Sequence, residues 1–269
     1  MKKFFHIIGL ICLFFFSLYL NDKTKVVIKN MDNIMIQINL NKDRYKEKGI
    51  DGQIDGKYII PGISSKIVDV DLSYKKMSKY GRYSEYYYVY KHILPKNSLV
   101  NNQDKIIISG NITKRVVSIS FIVDNIVELK NIVSILNNTN TKSTFFIDRL
   151  LIDSNIYDIN NYLNNGFSVC PITCDRYMIK IIKNILKQNN IYYYANDDMI
   201  CKVKNTNIYN IKGIYIEENF YKNVIDNLNN GSIFIFKYNH NLSLELNYII
   251  KYILSKGYSI ENLNSHLKE

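Results

Sequence analysis

"VVSISFIVDN", residues 116–125, has the unbroken apolar run of a strand buried on both faces. In α/β enzymes such strands present carboxylates at their carboxyl ends, yet the residues at this end are Ile122 and Val123. The stretch therefore reads as the front of a site with hydrocarbon where oxygen is expected.

The pattern continues downstream. Leu129, Ile132, Val133 and Leu136 fall at helical spacing and predict a helix over 126–137. "STFFI" (143–147) predicts a strand. Ile156, Ile159, Tyr162 and Leu163 predict a helix that ends at Gly166. "FSVC" follows as a strand, and Asp175 is placed to cap a helix carrying Ile179, Ile182, Ile185 and Leu186. "IYYY", "IYNIKGIYIE", "SIFIFKY" and "YSI" supply later strands, with helices near 219–229 and 243–255, the last stopping at Gly257. About seven short strands alternating with helices imply a parallel sheet wrapped by crossover helices, curled or closed into a barrel.

Residues 22–110 differ. "KVVIKN" and "IMIQINL" alternate and are expected as strands, and no long helix is expected here. The segment reads as a small α+β module joined to the rest at "ISGNITKR", where Gly110 and Asn111 suit a turn. Tyr86, Tyr87, Tyr88 and Tyr90 are expected to half-bury on the module's own surface, with stacking on sugar rings as the alternative.

At the amino terminus, Lys2 and Lys3 precede "FFHIIGLICLFFFSLYL" (4–20), which as a helix spans roughly 25 Å. No small-x-small cleavage site follows, so residues 1–21 are expected to be a signal anchor and a membrane contact. Lys23, Lys25 and Lys29 balance Lys2 and Lys3, and the charges give no orientation. The net charge of +11 suits anionic lipid or an anionic wall polymer, although a solvated surface explains it as well. No basic run is dense enough to indicate nucleic acid as a partner. Outside the apolar run stand Cys170, Cys174 and Cys201, an odd number without disulfide-framework or zinc spacing, expected as buried unpaired thiols.

Five stretches, in order over 114–269, resemble the polysaccharide deacetylase (NodB homology) family. "KRVVSISF" is similar to its opening strand, "TKSTFFID" to its Thr-Phe-Phe strand, and "YLNNGFSVCPIT" to the lead-in to its histidine motif. "NLNNGSIFIFKYN" resembles its late Gly-Ser-Ile strand and "IIKYILSKGYSIENLNSHL" its closing elements. The resemblance implies a distorted (β/α)7 barrel over 111–269. It also implies a zinc or similar ion held by one Asp and two His, a second Asp as base, and a late His as acid. A divalent ion with open positions polarises the amide carbonyl and supplies hydroxide near neutral pH.

Those groups are missing here. The paired Asp positions appear as Ile122 and Val123, and the histidine motif as Ile172, Thr173 and Arg176. The late His appears as Lys237, and none of the four His (6, 92, 240 and 266) falls between 92 and 240. Asp124, Asp148, Asp175 and His240 lie at expected strand ends and are the only substitutes in view for a cation site. The plainer reading makes them loop residues, with no cofactor or metal held.

The expectation is an extracytoplasmic, membrane-anchored deacetylase-like protein of a bacterial cell envelope, catalytically degenerate, binding cell-wall glycan or an envelope protein. Two alternatives stand beside it: an active N-deacetylase with an unorthodox metal site, and a scaffold docking a partner through residues 22–110.

Overall fold

A computed structural model describes residues 2–196, 199–203 and 206–269; in the first helix no side chain is described at 2–10, 12, 13, 22 or 25. In chain order the elements are α1 (Lys2–Met31), α2 (Asn33–Asn41), β1 (Gln53–Asp55), β2 (Tyr58–Ile60), β3 (Ser65–Val68), α3 (Val70–Lys79), β4 (Tyr90–Ile93) and β5 (Ile106–Ile107). There follow β6 (Val116–Ile122), α4 (Ile126–Asn138), β7 (Thr144–Ile147), α5 (Arg149–Ser154), α6 (Ile156–Asn164), β8 (Ser168–Pro171), α7 (Arg176–Asn184) and β9 (Asn190–Tyr194). The chain ends with β10 (Asn207–Ile211), β11 (Ile214–Ile216), α8 (Phe220–Asn227), β12 (Ile233–Lys237), α9 (His240–Ser255), β13 (Ser259–Ile260) and α10 (Leu263–His266). Two compact units result, Met1–Gly49 with Ser65–Ile93, and Ile50–Ser64 with Leu94–Glu269.

In the first unit, α1, α2 and α3 accompany the antiparallel pair β3–β4. The strands expected at "KVVIKN" and "IMIQINL" are helical: the first lies in α1, the second is α2. A run as apolar as "IMIQINL" satisfies both periods, and packing selects the helix. Met35 and Ile38 are buried while Ile36 and Leu40 stay exposed, and Asp32 caps the start by accepting from the Ile34 N–H at 2.7 Å. Tyr88 enters the small core with Ile38, Val68 and Met77, whereas Tyr86 is exposed. The anchor expected over 1–21 falls largely on side chains outside the described residues. The helix beginning there runs past the apolar stretch, through Lys23 and Lys29, to Met31. Among the described residues no helix is long and apolar enough to cross a membrane.

The second unit contains two sheets. One has the order β11-β12-β6-β7-β8, all parallel, with β13 paired to the start of β6; the other has the order β1-β2-β5-β10-β9, parallel except for β1–β2. Residues 94–110 belong with this unit, since β5 pairs with both β2 and β10. "IYNIKGIYIE" divides between the sheets as β10 and β11. Gly213 makes that crossing, and a Cβ there would lie 2.5 Å from the Ile233 carbonyl oxygen. The described strand pairings form two sheets, with β8 packed beside β9 but not hydrogen-bonded to it as a ladder, which fits the distorted barrel expected without closing it. Instead the side-chain amide of Gln188 accepts from the Val169 N–H at 3.2 Å and donates to its carbonyl, standing in for a neighbouring strand.

Alternation sorts the side chains. Val117, Ile119, Phe121 and Val123 face the core shared with the crossover helices, where Leu129, Ile132, Ile249 and Ile250 meet them. Ile122, Phe146, Cys170 and Ile235 face the other way, into a core completed by Tyr192, Tyr209 and Ile211 of the second sheet. Helix α10 closes the amino ends of the strands. Its Leu263 N–H donates to Thr144 Oγ1 at 3.0 Å, Asn264 donates to Ser168 Oγ at 3.0 Å, and His266 Nδ1 lies 3.0 Å from Ser118 Oγ.

Candidate functional site

The carboxyl ends of β6, β7, β8 and β12 form one edge. Ile122 is the register partner of both Phe146 and Lys237, and the Ile172 N–H donates to the Ile147 carbonyl at 3.1 Å. The structure thus brings Ile122, Ile172 and Lys237 together. Ile122 is buried and Ile172 packs against the same core, so the centre of the edge is hydrocarbon. Val123 does not share it: its side chain points into the core under the crossover helices, 1% exposed. Arg176 opens α7 and is exposed, away from Ile122's core.

Of the substitute cation ligands, Asp124 pairs with Lys237 at 2.5 Å. Lys237 therefore supplies a tethered ammonium at the rim. Asp148 caps α5 through the Leu151 N–H at 2.8 Å, and Asp175 caps α7 through the Tyr177 N–H at 2.9 Å. His240 is an exposed first residue of α9. Among the described residues no three His, Cys, Asp or Glu side chains stand together to hold a metal. Two aliphatic side chains and an ammonium do not fit a divalent ion, which needs oxygen, nitrogen or thiolate donors. Asp197 and Asp198, at another expected strand end, lie outside the described residues.

Sequence reasoning missed an aromatic rim. Tyr194 is buried and lies 6.0 Å from Phe146 and 6.0 Å from Tyr215, stacked on the latter. Tyr215 is 41% exposed, and its hydroxyl donates to Glu217 at 3.3 Å. Burial, Glu217 and Asp124 push its phenol up from the usual tyrosine value. The signal was present in the alternation of "IYIE", which puts Tyr215 opposite Ile216 in facing.

The cysteines correct a second expectation. Cys174 and Cys201 form a disulfide with Cα atoms 5.5 Å apart, and only Cys170, among the described residues, stays a free thiol. Burial pushes Cys170 up to about 12, which makes it an inert core group. The bond ties the loop that follows β8, between Ile172 and Arg176, to the segment before β10. Distance along the chain hid the pairing, since 27 residues separate the partners.

Solved structures share this fold. A structure of BA3943, described as a family 4 carbohydrate esterase pseudoenzyme from Bacillus anthracis, superposes with a TM-score of 0.60 at 18% identity, covering 89% of this chain and 96% of that one. A BA3943 mutant described as having restored enzymatic activity gives 0.62 at 18% identity, over 88% and 99%. The chain has the fold of the family 4 carbohydrate esterases. PdaA of Bacillus subtilis, a family 4 carbohydrate esterase, gives 0.52 at 14% identity over 65% of this chain and 90% of its own. No protein-family model matches the sequence, and no curated protein matches it either. On the family 4 fold, then, this chain carries a degenerate edge: Ile122, Ile172 and Lys237 where the resemblance places metal-site and acid–base groups.

Proposed function

We propose that the chain is a catalytically silent protein of the family 4 esterase fold that works outside the cytoplasm and binds envelope glycan at the carboxyl edge of its strands. One observation carries the reading: Ile122 and Ile172 fill the centre of the edge, while Tyr215 keeps an exposed ring beside Glu217 and the Lys237–Asp124 pair. An aromatic face ringed by hydrogen-bonding groups suits the apolar face and hydroxyls of a sugar. The Cys174–Cys201 disulfide supports an oxidising compartment, and the apolar run at 4–20 is the device we assign to export.

The test uses the full chain purified without chelator. Zinc is expected far below one equivalent, with no acetate released from N-acetylglucosamine oligomers. Retention on peptidoglycan or chitin oligomers is expected, weakened about tenfold in Tyr215→Ala. Stoichiometric metal with chelator-sensitive acetate release would instead establish an active deacetylase with an unorthodox site.

A further inference from the structure

A second cleft, of about 730 Å³, opens beside the disulfide and is built differently from the edge. Arg176 and Lys202 line it, with Asn101, Gln103 and Thr206, over a floor that includes Ile208. Both cations are exposed, and neither has an ion-pair partner among the described residues. Asp104 is the one carboxylate in the described lining, and Lys105 lies 3.8 Å from it.

The walls are fixed to each other from below. Asn210 is fully buried; its side-chain oxygen accepts from the Cys201 N–H at 2.7 Å, and its amide donates to the Gln103 carbonyl at 3.4 Å. One side chain thus joins the wall at 101–104 to the wall at 201–203. The disulfide ties the Cys201 wall to Cys174, two residues before Arg176. A guanidinium and an ammonium line the cleft together with the amides of Asn101 and Gln103, and Asp104 is the one opposing charge in the described lining. A guanidinium matches a carboxylate or phosphate through two parallel hydrogen bonds, and a cleft of this size accommodates a sugar-sized unit.

We propose that this cleft binds an anionic group, a carboxylate or phosphate carried on an envelope polymer, through Arg176 and Lys202. The polymer's place in the envelope rests on the function proposed above; the anion site rests on the cleft alone.

Isothermal titration of the full chain tests it with three probes: oligogalacturonate, a glycerol phosphate oligomer, and neutral chitotetraose. At least one anionic oligomer binds, more weakly as salt is raised, and Arg176→Gln lowers the affinity at least tenfold while Arg176→Lys keeps part of it. Which oligomer binds assigns carboxylate or phosphodiester. Unchanged thermal melting shows that the exposed substitutions leave the fold intact. The proposal falls if neither anionic oligomer binds, or if Arg176→Gln and Lys202→Gln both bind as tightly as the native chain. Neutral-glycan retention that is absent, or unchanged in Tyr215→Ala, with Arg176-dependent binding kept, sinks the glycan reading and leaves the anion site standing.

Discussion

Strands β6, β7 and β8 present Ile122, Phe146 and Ile172 at or just beyond their carboxyl ends, and Ser118, Thr144 and Ser168 toward their amino ends, all in the inner core or bordering it. At the amino ends, α10 engages all three hydroxyls, and His266 is 97% buried against Ser118 and beneath Gly110. At the carboxyl ends, the polar groups lie outward, in the exposed Lys237–Asp124 pair and Tyr215. The lesson is that this protein holds buried polarity where it fixes the closing helix in place and has hydrocarbon at the centre of the opposite, carboxyl edge. Its one described buried imidazole serves architecture.

That contrast can be broken most forcefully with a carboxylate near the carboxyl end. Val123→Asp places an unpaired charge in the core under the crossover helices and is expected to cost about 3–5 kcal/mol in urea denaturation. A stable variant would mean that the core under the crossover helices, one residue beyond Ile122, accommodates an acid. Next in size is the disulfide: replacing Cys174 and Cys201 by Ser releases a loop closed over 27 residues, with an expected loss of about 3.5 kcal/mol in reversible melting.

The amino ends are tested by pH. Burial, with Lys114 nearby, pushes His266 from 6.5 down to about 4. Folding is then favoured fully above 6.5, where the ring is neutral in both states. Stability falls as the pH drops toward 4, because the unfolded chain takes up the proton first, and the loss is on the order of 3 kcal/mol. His266→Asn should remove that slope from the stability–pH curve; a slope that persists assigns it to other groups. The smallest effect belongs to the rim, where Lys237→Met breaks an exposed pair and should shift stability by less than about 1 kcal/mol. A larger change, read by chemical denaturation, would make the ammonium a structural replacement for a metal.

Much of the second unit was legible because short buried strands and one-sided helices leave unambiguous periods. Leu129, Ile132, Val133 and Leu136 are all buried on α4 as their spacing requires, and Gly166 and Gly257 take the left-handed conformation that ends a helix. The grouping of Ile122, Ile172 and Lys237 at one edge was legible too, since they sit in elements whose order along the chain fixes their neighbours. What stayed hidden depended on folding in three dimensions. The disulfide joins segments that no local pattern connects, and the division of β10 from β11 depends on one glycine's closeness to Ile233. In the first unit, "IMIQINL" offers two periods at once, and only the burial of Met35 and Ile38 chooses between them.

Gln188 gives the open architecture a further meaning. A strand whose ladder ends inside the fold leaves donors and acceptors that water cannot reach, and each one left unpaired is costly. By occupying both groups of Val169 with one carboxamide, the chain satisfies that position from within. Along this wholly buried strand, the saturation of Val169 is thus concentrated in a single amide.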